Sequence, residues 1–443
     1  MIAPVRSKIP LLLVCAFFAV AGIAQEPGGR DPEPGALLLD AENLTDSLFM
    51  SESAQGAGGD AAEEAGEPVA LVGGGEAGRR GRWRVTPHLD ARATYDDNIF
   101  IQPKDRIDDF IFTFAPGLGV GFWDSDEERE RYLDRQRGAA VVERSRGTFL
   151  VVDYTAILLG FARTTSQNAV DHDGLVDLRW ESGKLTLGAR LHLESKSETN
   201  TDVGTRIRRR TLTGEATSSY RITDKTALGL AFFHKTNDPE DFLRTVEWRG
   251  EGSVDYAPTP VVRFGFGVAA GRVQVESSAD QTFERLLARA GYSLSEKLEA
   301  EFRGGVEFRQ SDGPVGDRTS PIFDLRAVWT PAAGTQVALE GFRRVEASAA
   351  RPDQDYTLTG AALTFRQALR GGLHFAVEGG YHHARYIGDA RTDRYFFVRP
   401  GLFYNFAAWG NAGIAYERRR NESNRERSEF ENNQTTFEIG LIY

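Results

Sequence analysis

The sequence predicts an all-β fold: a transmembrane, antiparallel, up-and-down β-barrel of about 18 strands (roughly 16–20). Three observations lead there. Segments of about ten residues alternate apolar and polar side chains at a period of two, as a strand with one face in lipid requires. The connections between them take turns in length. Aromatic residues gather at the ends of the apolar faces. A soluble sandwich would also alternate, so alternation alone does not decide. The other two observations do, because a membrane barrel has short turns on one side, longer loops on the other, and an aromatic girdle at each interface.

The 443-residue chain opens with a basic pair, Arg6 and Lys8, an apolar run from Ile9 to Ala21, and small residues at Gly22 to Ala24. This is the pattern of a secretory signal peptide over 1–24 with cleavage after Ala24, so Sec-type export is expected. Its removal takes away Cys15, the only cysteine of the chain. No disulfide, thiolate metal site or cysteine nucleophile is then left. Loss of Arg6 and Lys8 moves the formal net charge from −11 to −13, the wrong sign for a nucleic-acid partner. Mean hydropathy is −0.38, and after Ala24 no apolar run is long enough for a spanning helix. Residues 25–82, rich in Gly, Ala and Glu, read as a disordered periplasmic lead, with one short amphipathic stretch from Ala36 to Phe49.

The barrel is expected over 83–443. Trp83, Val85, Pro87, Leu89, Ala91, Ala93 and Tyr95 share one face of the first strand. Phe110, Phe112, Phe114, Leu118 and Phe122 repeat the pattern in the second, with Gly117, Gly119 and Gly121 behind them. Asp124 to Arg146 is too long and too charged for a short turn; it reads as a solvated periplasmic connection, a helix or a plug. Later strands include Leu185–Glu194 and Leu298–Arg309. Turns are expected at 181–184, 223–225, 258–260, 331–334 and 370–372, and longer polar loops near 96–108, 195–209, 235–245, 310–320, 345–356 and 419–430. Trp180, Tyr220, Trp248, Tyr256, Tyr292, Trp329, Tyr404 and Tyr416 supply the girdles.

Two stretches carry a family resemblance. Thr86-Pro87 followed by Tyr95-Asp96-Asp97-Asn98 resembles the opening of the β-barrel porin families of Gram-negative envelopes. The end of the chain, with Phe437, Ile439, Leu441 and Tyr443 on one face, resembles the closing strand of outer-membrane barrels. In those proteins that strand is the signal read by the barrel-assembly machinery. The resemblance implies a protein in outer-membrane lipid that passes small hydrophilic solutes. Similar barrels also accompany polysaccharide export or act as envelope scaffolds, and this is the alternative expectation. Aromatic rows along the lumen would favour it, but inward Phe397 stands nearly alone in the alternation.

The candidate site is the inner face. Alternation aims Arg92, Arg179, Arg190, His192, Glu194, Arg249, Glu251, Glu301, Arg303, Asp324, Arg326 and Arg399 into the lumen. Hydrated, these charges would set a field across the channel; paired across strands, they would only keep the wall polar. The adjacent His382 and His383 point to opposite faces and cannot share a metal, and no nucleophile-elbow, zincin, P-loop or EF-hand spacing occurs. No catalytic residue, cofactor or metal ligand is assigned, and an enzyme built into the barrel from distant residues is the least favoured reading.

Overall fold

The computed structural model describes residues 82–124, 147–200, 205–294, 297–313, 316–348, 351–407 and 409–442. The expected signal peptide and lead, up to residue 81, the charged connection beyond Asp124 and the terminal Tyr443 lie outside them.

Eighteen strands follow one another: β1 (Arg82–Asp96), β2 (Asp109–Trp123), β3 (Phe149–Phe161), β4 (Ala169–Ser182), β5 (Leu185–Asn200), β6 (Thr205–Arg221), β7 (Thr226–Pro239), β8 (Thr245–Thr259) and β9 (Val262–Val275). The second half comprises β10 (Gln281–Leu294), β11 (Leu298–Ser311), β12 (Arg318–Ala332), β13 (Thr335–Ala347), β14 (Asp355–Ala368), β15 (Leu373–Tyr386), β16 (Thr392–Ala407), β17 (Gly410–Ser423) and β18 (Phe430–Ile442). Each pairs antiparallel with its neighbours in sequence, and β1 also pairs with β18 from His88↔Ile442 to Asp96↔Gln434. The sheet is therefore closed and has no free edge, the one way a sheet can satisfy its backbone in hydrocarbon.

The exposed apolar side chains lie on one parity of each strand: Phe110, Phe112 and Phe114 on β2, Phe264, Phe266 and Val268 on β9, Phe437 and Ile439 on β18. Phe266 is 75% exposed. This is the lipid face. Tyr220, Tyr256, Trp329 and Tyr404 ring one of its borders; Tyr95 and Tyr416, both level with Thr435, sit near the other.

The connections differ from expectation in one respect. Residues 195–209 are mostly strand, with β5 and β6 paired out to Asn200↔Thr205, and β7, β13 and β17 likewise run on into segments expected to be loops. Ladder hydrogen bonds form whatever the side chains, so hydrophilic strand ends standing clear of the bilayer look like loops in a sequence. The contrast in length survives on the opposite side, where 183–184, 260–261 and 333–334 are two-residue turns. Gly183 and Gly334 there adopt φ of +57° and +77°, which suits tight hairpins.

We take the end with the longer connections as the outer one. A cysteine at exposed Asp312 should then react with an impermeant maleimide on intact cells, and one at exposed Thr259 should not. Labelling of Thr259→Cys from outside would reverse the orientation.

Candidate functional site

The inner face is built from the opposite parity. Most of the sequence-predicted residues lie close to an opposite charge, some across the ladder and some two residues along the same strand. Arg92 lies across from Glu438, with a closest approach of 4.0 Å. Arg179 reaches Glu181 at 3.3 Å, and Arg249 reaches Glu247 at 3.3 Å while covering the Phe233 ring. Glu301 accepts from Arg263 at 2.6 Å and faces Arg326, which also approaches Glu340 at 3.7 Å. Arg303 stands opposite Asp324 and donates to Glu251, which Arg289 of β10 also engages. Arg399 is the register partner of Glu378. Arg190, between Asp177 and Glu215 in register, is exposed, as is Asp324. His192 contacts Asp173 at 3.1 Å, and Glu194 contacts Lys196 at 2.7 Å. Both signs occur round the wall, so these groups form a mixture of cross-strand and same-strand pairs and not a ring of one sign.

Sequence reasoning missed three features. The first is a buried polar network at the outer end of β10–β14. Glu307, fully buried, accepts from Arg285 Nε at 2.7 Å and Arg309 Nε at 2.8 Å. Arg309 continues to Gln281 at 3.1 Å, and Gln281 donates to Asp355 Oδ1 at 3.0 Å, with Arg318 on the other oxygen of that carboxylate. The Phe283 ring lies against both the Arg285 and Arg309 guanidiniums. Parity shows that these side chains point inward; it does not show that β10 and β14 meet.

The second is the β1–β2 loop. It does not stand out from the barrel but folds in. Ile101 packs on Tyr395, Phe397 and Phe430, and Ile99 on Ile111 and Phe161, all from the inner face. The loop is held by the Tyr95–Asn98 motif. Asp96 accepts from Asn98 N (2.8 Å), Asn432 Nδ2 (2.5 Å) and Gln434 Nε2 (2.8 Å); Asp97 accepts from the Asn433 backbone (2.7 Å) and side chain (2.6 Å). Asn98 donates to the carbonyls of Gln102 (2.8 Å) and Glu431 (3.0 Å). The motif thus pins the loop and the β1–β18 seam together.

The third corrects the expectation that Phe397 is nearly alone. His382 lies 5.9 Å from it and 5.8 Å from Tyr395, and Tyr395 lies 6.3 Å from Phe430. Tyr395, Phe397 and Phe430 are buried, however, so they present no open ring faces to a solute. Tyr395, two residues before Phe397 on β16 and 5.9 Å from it, shares its parity and was legible in the sequence; only His382 of β15 and Phe430 of β18 needed the fold to bring them there. Outside the bilayer, Asp389 of the β15–β16 loop ties three loops by accepting from Arg425 (2.5 Å), Arg351 (3.0 Å) and Gln354 (3.3 Å). Burial would raise its carboxyl, but the Arg425 and Gln354 donors and the Arg391 N–H hold it below the ordinary aspartate value.

Residues 253–441 match the family model described as "Putative beta-barrel porin 2". No curated protein matches the sequence. Among solved structures the chain is similar to OccK2 (OpdF) of Pseudomonas aeruginosa, at 10% identity and a TM-score of 0.44, over 81% of this chain and 98% of that one. It is also similar to OccAB4 of Acinetobacter baumannii (9%, TM-score 0.42, 81% and 98%) and to Pseudomonas aeruginosa OpdK, solved with vanillate (11%, TM-score 0.41, 81% and 99%).

Proposed function

Taking the chain as a β-barrel porin of the family matched over 253–441, we propose that it is an outer-membrane channel for passive passage of small hydrophilic solutes. The observation that carries this reading is the inner face itself. A closed sheet of eighteen strands is wide enough for a water-filled lumen, and its inner wall carries charges such as Arg190 and Asp324 that stay exposed. The inward β1–β2 loop narrows the outer end and makes the passage selective by size. Phe437, Ile439 and Leu441, with Tyr443 at the terminus, serve as the signal to the barrel-assembly machinery, and the outer membrane is reached by Sec-type export with cleavage after Ala24. Polysaccharide export is the weaker reading, since the inward rings are covered and not laid out as a sugar track.

Reconstitution in a planar bilayer tests the proposal: discrete single-channel steps support it, and a folded but silent barrel overturns it. Charge reversal sharpens the test. Arg190→Glu should shift selectivity severalfold towards cations with normal folding, because an open lumen charge acts on passing ions while it stays hydrated. Arg303→Glu should behave differently. It puts a third carboxylate beside buried Glu251 and exposed Asp324 and should cost about 1–3 kcal/mol of stability.

A further inference from the structure

We propose that the inner wall carries a divalent-cation site formed by Asp173 of β4 with His192 and Glu194 of β5. The inference rests on the geometry of these two strands and not on the channel reading. Asp173 and Glu194 are direct cross-strand partners, and His192 is the next inward residue of β5, so strand pairing alone brings three ligand types to one spot. One ligand atom from each lies within 4.8 Å of the other two. His192 Nε2 is 3.1 Å from Asp173 Oδ1 and 3.2 Å from Oδ2, near the edge of about 3.4 Å expected between ligands round a tetrahedral zinc ion. Glu194 has divided its oxygens. Oε1 is engaged by Lys196 at 2.7 Å, while Oε2 lies 3.8 Å from Nδ1, the other ring nitrogen, so a shared ion is reached by a turn of the imidazole or of this carboxylate.

Access and charge fit as well. The Asp173 and His192 side chains are about one-third exposed, open on the inner side, whereas Glu194 is nearly buried and held in place. Asp171, the nearest further carboxylate on β4, is committed to Ser197 through its backbone N–H at 2.6 Å and its hydroxyl at 2.8 Å, so it is not a ligand. Two carboxylates against one lysine leave the spot with a net negative charge. One imidazole, two carboxylates and a position left for water form a donor set that suits zinc.

The alternative is a plain hydrogen-bonded network in which His192 ties Asp173 to the wall and Lys196 neutralises Glu194. Isothermal titration of the metal-stripped, refolded barrel in detergent with zinc chloride separates the two. The wild type should bind one ion saturably, and His192→Ala and Asp173→Asn should each weaken binding at least tenfold. Lys196→Gln should tighten it severalfold by freeing Glu194 Oε1, an effect that a merely structural network does not produce. Heat-modifiable gel mobility verifies folding of each variant. Absence of saturable heat in the wild type, or unchanged binding in His192→Ala, would overturn the site. Because no membrane is used, this result is independent of whether the barrel conducts.

Discussion

Phe437→Arg should abolish assembly, leaving no heat-modifiable barrel in outer-membrane fractions. Phe437 lies midway along β18, between Ala93 of β1 and Ile414 of β17, and is 58% exposed on the lipid face. A cation there costs about 2–4 kcal/mol near the bilayer midplane, on top of the lost ring. The strand affected is also the one that closes the sheet. An unclosed β1–β18 seam would leave two rows of unpaired backbone groups in hydrocarbon, so the defect is not confined to one side chain. Normal heat-modifiability of Phe437→Arg would refute the assignment of the lipid face.

Asp96→Ala should have the second largest effect, in two measurable ways. Its carboxylate is fully buried and takes hydrogen bonds from Asn98, Asn432 and Gln434. Asn98 and Asn432 are themselves fully buried, and orphaned donors cost about 1–3 kcal/mol each. The midpoint of unfolding in detergent and urea should therefore drop markedly. Barrels that do assemble should conduct more, with noisier steps, because Asn98 no longer holds the β1–β2 loop against the inner wall. A stability loss with unchanged conductance would mean that the loop does not define the narrow part of the passage. No change in either would remove the clamp altogether.

Much of this architecture was legible in the residues. The number of strands and the lipid face follow from local pattern: side chains alternate at a period of two, so Phe264, Phe266 and Val268 declare their common side without reference to any neighbour. The closing strand was legible for the same reason. Strand ends were not. Ser197, Thr199 and Arg208 are hydrophilic, and hydrophilic strand beyond the bilayer has the composition of a loop. The candidate wall was legible as a set of inward residues, but its pairing was not, because parity says which face a charge takes and nothing about its height relative to other strands.

What the sequence by itself determined is thus the set of local properties: a chain of alternating strands, an apolar belt with aromatic borders, and a polar inner face. Only the tertiary structure decided who meets whom. Glu251 and Arg303 are 52 positions apart, Gln281 and Asp355 are 74 apart, and Asp96 and Asn432 are 336 apart. Such meetings depend on the stagger that closure imposes on all eighteen strands together, and on a loop that turns inward because Ile99 and Ile101 find an apolar wall there. The Asp173–His192–Glu194 cluster stands between the two cases. Alternation supplies its faces, but the register of β4 against β5 sets its heights, and a strand slipped by one residue would point His192 at lipid.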